Sequence, residues 1–251
     1  MEGFVVCFTY MARRLDTFSV GEAYHVYNRG VNKMSVFFDN ADRNRFIKLL
    51  YICNSDKNVV FQNTKDIPLS KIDRGEQLVH IGAYCLMDNH FHLMLIEKEH
   101  GGISKFMSKL MTAYAMYFNK KYDRTGVLFE KPFKSKYVGL NDAYCDYLFL
   151  YIHFNPLKMI EPDWMEYGVV NEAKAQKFIE TYKYSSYQDY YINTREESLI
   201  INREEVPERL LETKDFKRLL AGLYSGHVNL EQKAFDMFSA NTEADIEKES
   251  K

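Results

Sequence analysis

The chain is short of cysteine and has no cysteine pairs. Cys7, Cys53, Cys85 and Cys145 lie far apart with no CxxC spacing. That excludes a disulfide framework and a thiolate zinc site, and reads as reduced thiols of a cytoplasmic protein. No apolar run approaches the roughly 18–20 residues of a membrane span. The N-terminus lacks the basic-then-apolar-then-small order of a signal peptide; its first ten residues look dispensable, and Met11 is an alternative start. Net charge is almost absent, at −2 over 251 residues, so nothing about nucleic acid follows from the total. Internal repeats and low-complexity segments are lacking too. What remains is a hydrophobic fraction of 46%, enough for a real core, and 15% aromatic residues, 19 Tyr and 18 Phe. Such a stock of rings suits base stacking, although most of it belongs to the core.

Periodicity sets out the elements. Ala23-Tyr24-His25-Val26-Tyr27 alternates weakly before the turn signal Asn28-Arg29-Gly30 and predicts a strand. Residues 40–54 place Phe46, Leu49, Leu50 and Cys53 on one helical face. The polar stretch 63–77, with Pro68 and Gly75, reads as an inserted loop. Leu78 to Met87 and Phe91 to Glu97 read as two facing strands joined at the Asp88-Asn89 corner. Gly101-Gly102 precedes a long amphipathic helix with a stripe of Phe106, Leu110, Ala113 and Tyr117, and residues 126–138 alternate as extended chain. A further helix runs from Asn141, an N-cap candidate, to Asn155, where Pro156 stops it. Strands separated by helices around an antiparallel hairpin predict an α+β domain over residues 21–193. It follows an N-terminal extension, 1–20, and precedes a helical C-terminal extension, 194–240, and a disordered acidic tail, 241–251.

The chemistry concentrates in two short stretches. In LMDNHFHL, His90 and His92 are i and i+2 on a strand, so both point to one face. Two imidazoles side by side form a chelate for one divalent cation or a pair of donors for a phosphate; the plain alternative is two histidines on a solvated sheet face. In DYLFLYIHFNP, Tyr151 and Asn155 are i, i+4 on one helix face. A phenol is a nucleophile once deprotonated, and an Asn carbonyl is a hard oxygen ligand suited to Mg²⁺ or Mn²⁺. Packing by Tyr147, Tyr151 and Phe154, with Asn155 as a helix cap, is the competing account. His153 points about 200° away from Tyr151 around the helix and reads as structural.

Charge has a local focus. Between Ser104 and Val138, Lys105, Lys109, Lys120, Lys121, Arg124, Lys131, Lys134 and Lys136 face only Asp123 and Glu130. Interleaved with Tyr114, Tyr117, Phe129 and Phe133, these cations fit a surface that follows a phosphate backbone and stacks bases. An ordinary solvated helix face accounts for part of them.

From about Tyr24 to Tyr187 the chain resembles the REP-associated tyrosine transposases, within the single-tyrosine HUH transposases. The landmarks are HVYNRGVNKMSVFFDNADRNRFIKLL, AYCLMDNHFHLML, YFNKKYDRTGVLFEKPFKSKYV, YIHFNPLKMI and YKYSSYQDY. HFH alone is a weak signal; HFH after LMDN, followed by YIHFNP, is a strong one. The resemblance implies a ferredoxin-like or RRM-like antiparallel sheet with packed helices and the histidines on a central strand. It implies Mg²⁺ or Mn²⁺ held by His90, His92 and Asn155, with Tyr151 as the nucleophile. The implied activity is cleavage and transfer of single-stranded DNA at hairpin-flanked sites, through a 5′-phosphotyrosine intermediate.

The insert at 63–77 is longer than the family leads one to expect, and no family motif carries over to either end of the chain. One tyrosine nucleophile leaves a homodimer open. Two rivals stand beside this reading: a DNA hairpin-binding protein of the same fold that does not cut, and an RNA-binding sheet. The latter lacks the aromatic pair on adjacent strands that stacking needs.

Overall fold

The computed structural model describes residues 18–57, 61–130, 132–140 and 143–224. The expectations placed on Cys7, Lys131, Asn141, the first 17 residues and everything after 224 lie outside the described residues.

Strand β1 (Ala23–Arg29) leads into helix α1 (Asn40–Cys53), then β2 (Val79–Leu86), β3 (His90–Glu97), α2 (Gly102–Lys121) and β4 (Lys134–Val138). The sheet order is β2-β3-β1-β4, and each neighbouring pair is antiparallel. This βαββαβ arrangement is the expected ferredoxin-like one, and β3 is central. Helix α1 starts at Asp39, whose carboxylate accepts from Asp42 N at 2.9 Å. Gly101, at φ 80°, turns the chain into α2. The buried Glu97 carboxylate accepts from Gly101 N and Ile103 N, both at 2.7 Å, and so satisfies the first amides of that helix.

The sheet has two unlike faces. Phe91, Leu93 and Leu95 of β3 join Tyr24 and Val26 of β1 in a core sealed by α1 and α2. Met94 and Ile96 of the same strand join Ala23, Ala83 and Cys85 in a second core, under helix α3 (Ala143–Phe154). The side-chain period of two divides one strand between them.

Several expectations shift in detail. The buried stripe of α2 is Phe106, Leu110, Tyr114 and Phe118, and Ala113 and Tyr117 only flank it. Each step of four advances about 40° around the helix, so the buried stripe winds slowly across the face instead of following the i, i+4, i+7, i+11 line expected. Of the stretch 126–138, Lys134–Val138 is strand, with one isolated bridge between Gly30 and Phe129. The insert before β2 contains two 3₁₀ turns, Phe61–Thr64 and Leu69–Lys71. Lys48 Nζ pins it by donating to the carbonyls of Thr64, Lys65 and Ile67.

After α3 comes a 3₁₀ turn, Asn155–Met159, then the short helices α4 (Trp164–Tyr167), α5 (Glu172–Thr181) and α6 (Tyr187–Tyr191). The landmark YKYSSYQDY covers the open edge of β2. Tyr184 O accepts from Leu86 N at 2.9 Å, and Ser186 Oγ accepts from Tyr84 N at 3.0 Å. An exposed edge is an aggregation hazard that this segment removes. The described part of the C-terminal extension consists of 3₁₀ turns up to Leu211 and a helix from 216 through 224. Its Val206, Leu210, Phe216 and Leu223 belong to the second core.

Candidate active site

His90 and His92 project from the α3 side of the sheet, where the strand period puts them on one face; their ring centroids are 4.9 Å apart. Across the β1–β3 ladder, Arg29 lies opposite His90 and Tyr27 opposite His92. Helix α3 brings Tyr151 over this end of the sheet, its ring edge-on to His92 with centroids 5.5 Å apart. Together with Asn28, Glu130 and Lys134, these residues line an open pocket of about 220 Å³.

The tautomer of His90 follows from a relay. Asn89 Nδ2 donates to Lys33 O at 3.1 Å, which turns Asn89 Oδ1 toward His90 Nδ1 at 2.6 Å. A carbonyl oxygen can only accept, so His90 Nδ1 carries the proton and Nε2 keeps its lone pair. The bend that presents Lys33 O uses left-handed backbone at Asn32, φ 54°, and Lys33, φ 61°. His92 contacts a third ring: its Nδ1 is 2.9 Å from His25 Nε2, and its Nε2 is buried without a hydrogen-bond partner.

Burial, reinforced by the Lys158 and Arg29 charges, lowers the His90 pKa to about 4. Burial also holds His92 well below its ordinary value, with His25, His90 and Lys158 adding to the effect. Both rings are therefore neutral near pH 7, which is the form that can ligate a cation.

Asn155, expected as the last residue of the α-helix, instead begins the 3₁₀ turn that follows α3. It is fully buried, and neither its Oδ1 nor its Nδ2 has a hydrogen-bond partner. A buried amide without partners costs on the order of 1–3 kcal/mol and calls for a ligand. Asn155 is not among the residues lining the pocket. The described residues hold no group of three or more His, Cys, Asp or Glu placed for a metal. In donor type, two imidazoles and an amide oxygen suit a divalent cation, whose remaining positions water and phosphate would fill.

His153 faces away, as expected. It is fully buried among Phe149, Tyr187, Tyr190 and Tyr191, with Nε2 2.8 Å from Ser186 Oγ.

The basic stretch is not one surface. Lys134 and Lys136 lie on the site face of β4; Lys134 lines the pocket and the Lys136 ammonium sits 4.2 Å from the centre of the Tyr144 ring. Lys105, Lys109, Lys120 and Lys121 belong to α2, on the opposite side of the sheet. There Lys109 donates to the carbonyls of Ser55 and Lys57, and Lys121 pairs with Asp39 at 2.8 Å and Asp42 at 2.7 Å. Arg124, just after α2, donates to Asn119 Oδ1 at 3.3 Å. Proximity along the chain did not carry through to proximity in space.

Sequence reading missed three neighbours of the site. Lys158 donates to the Tyr151 hydroxyl at 3.4 Å and stands over its ring; it lies past Pro156 in the 3₁₀ turn Asn155–Met159, so no helical spacing marked it. Arg29, with Glu130 3.7 Å away, and Tyr27, its ring 5.9 Å from that of His92, alternate with His25 along β1. Their shared face was legible from the strand period of two, but their place beside the histidines rests on the pairing of β1 with β3.

Residues 47–155 match the family model described as IS200-like transposases. That span contains His90, His92, Tyr151 and Asn155. No curated protein matches the chain. A solved structure of a REP-associated tyrosine transposase bound to a REP hairpin is 12% identical, with a TM-score of 0.42, over 72% of this chain and 85% of that one. Among the described residues, no helix is long and apolar enough to cross a membrane.

Proposed function

We propose that the chain is a metal-dependent single-stranded DNA endonuclease and strand transferase acting at hairpin-flanked sites, with Tyr151 as its nucleophile. The observation that carries this reading is the meeting, in one open pocket, of the Tyr151 ring with two neutral imidazoles on the same strand. The transposase family match over residues 47–155 supports it.

His90 Nε2, His92 Nε2 and Asn155 Oδ1 would hold Mg²⁺ or Mn²⁺. When bound, the cation supplies Lewis-acid polarisation of a non-bridging phosphate oxygen. The remaining work falls to the chain. The Tyr151 oxygen attacks phosphorus, the Oη–P bond forms and the P–O3′ bond breaks. The phenol proton leaves through the open pocket, and the departing 3′-oxygen takes one up. The 5′-phosphotyrosyl link conserves the phosphodiester, so attack by another 3′-hydroxyl rejoins DNA without an energy source. Lys158 stabilises negative charge as it builds on the Tyr151 oxygen, and Arg29 and Lys134 offer the phosphate positive partners.

The test is incubation with labelled single-stranded DNA from the flanks of the protein's own gene, with and without Mg²⁺. A covalent adduct that requires the cation supports the reading. Tight binding with no adduct would make the protein a hairpin-binding relative that does not cut, and preference for RNA would overturn the substrate class.

A further inference from the structure

His25 is the one histidine of this cluster that the nucleophile-and-chelate reading leaves without work. It lies on β1 opposite Met94 and reaches diagonally to His92, with Nε2 2.9 Å from His92 Nδ1 and ring centroids 5.1 Å apart. It is only 8% exposed, held between His92 and Tyr27, whose ring is 4.8 Å away. Lys136 stands opposite it on β4. Arginine or lysine here would bring a charge against the metal site, and an aliphatic side chain would pack at lower cost. A buried imidazole aimed at the rear nitrogen of a candidate ligand has one distinct capability: it chooses which nitrogen of that ligand carries the proton.

The bond between two neutral imidazoles can run either way. If His25 donates, the His92 proton sits on Nε2, where it can hold a phosphate oxygen but cannot ligate a cation. If His25 accepts, His92 carries its proton on Nδ1 and presents a lone pair from Nε2. The neighbouring ring decides between them by analogy of construction. His90 is fixed with Nδ1 protonated by the chain Lys33 O, Asn89, His90. Two rings meant to hold one cation must share that state, because a single Nε2–H would point a proton at the metal.

We infer that His25 is a positioning residue: its Nε2 accepts the His92 Nδ1 proton and so locks His92 with its Nε2 lone pair facing the pocket. His90 then takes its orientation from the neighbouring Asn89 amide, anchored on Lys33 O, and His92 from a third imidazole across the β1–β3 ladder. Partners of this kind typically change metal affinity by about 10–100-fold when removed. This inference rests on the metal-holding role assigned above to His90 and His92, but its first readout needs neither metal nor DNA.

The experiment is long-range proton–nitrogen correlation NMR of the full chain labelled with ¹⁵N-histidine, without metal, at neutral pH. His92 is assigned by His92→Gln. The expected pattern is a protonated Nδ1 and a bare Nε2 on His92, and the same on His90. In His25→Leu the His92 pattern should become mixed while the His90 pattern stays, and Mn²⁺ affinity by calorimetry should fall about 10–100-fold. His25→Gln, whose amide oxygen can accept the same proton, should retain most of that affinity.

A His92 protonated on Nε2 in the unsubstituted chain overturns the inference outright, and that result does not depend on any variant folding. Unchanged Mn²⁺ affinity in a folded His25→Leu also overturns it. Should the NMR pattern hold while no variant of His90 or His92 affects adduct formation, the fault lies with the proposed function and not with His25.

Discussion

The two faces of the sheet share strands and almost nothing else. On the α1–α2 side, β3 contributes Phe91, Leu93 and Leu95 to a core that also holds Phe46, Phe106 and Tyr114. On the α3 side the same strand contributes Met94 and Ile96 to packing, but at its start presents His90 and His92 to a pocket. One face is closed with apolar rings, T-shaped or tilted against one another. The other carries histidine, tyrosine and lysine, including a buried amide without partners. The difference teaches that stability and chemistry are divided residue by residue along one strand, which a side-chain period of two makes possible.

The largest expected effect that sharpens this contrast is on the site face. Tyr151→Phe should abolish the covalent adduct while changing unfolding free energy by no more than about 1 kcal/mol, since only a hydroxyl with one long hydrogen bond is removed. Tyr27→Phe in the same pocket should leave adduct formation largely intact. Its hydroxyl is harder to ionise, because burial and the nearby Tyr151 both raise its pKa. A gel assay with parallel urea denaturation reads both quantities.

The mirror-image change lies one residue from the histidines. Phe91→Ala should cost about 3–5 kcal/mol of stability through a cavity in the closed core, measurable as a lower denaturation midpoint. If it instead spared stability and removed activity alone, the division between faces would fail.

Next come the imidazoles. His90→Ala and His92→Ala should each remove Mn²⁺ binding by calorimetry and cation-dependent cleavage, with chelation by EDTA reproducing the loss in the unsubstituted chain. Binding of DNA should persist in all three cases, because under the proposed function phosphate contacts outside the two imidazoles would position the strand.

The smallest expected effect separates the cations by face. Neutralising Lys134 and Lys136 should flatten the dependence of log affinity on log salt by about 0.7 for each single-strand phosphate left without its cationic partner. Neutralising the exposed Lys105 and Lys120 of α2 should leave the slope unchanged. A slope that responds to the α2 pair instead would move the DNA to the other side of the sheet.

Much of this was legible in the sequence, for identifiable reasons. The hairpin that carries the histidines announced itself through two apolar runs around Asp88-Asn89, and α1 through its period. HFH pointed to two rings on one face because i, i+2 on a strand is local geometry, and Tyr151 meets them in the pocket, whereas Asn155 lies in the 3₁₀ turn after α3 and does not line it. Long-range geometry was hidden. Nothing in the order Lys105 to Lys136 reveals that a sheet separates its two ends, and nothing marks His25 as the neighbour of His92 until β1 and β3 are paired. The C-terminal extension read as helical from its charge and composition, whereas 3₁₀ turns fill much of its described part. Its Asn202 side chain bonds to Ile81 N at 3.1 Å, a tertiary interaction that local propensity cannot show.

The most direct measurement is peptide mapping of the DNA–protein adduct by mass spectrometry after nuclease digestion. The account predicts a nucleotide joined through its 5′-phosphate to Tyr151, formed only with a divalent cation. A 5′-phosphate on Tyr27, Tyr144 or Tyr147, or an adduct of equal yield without the cation, would contradict it.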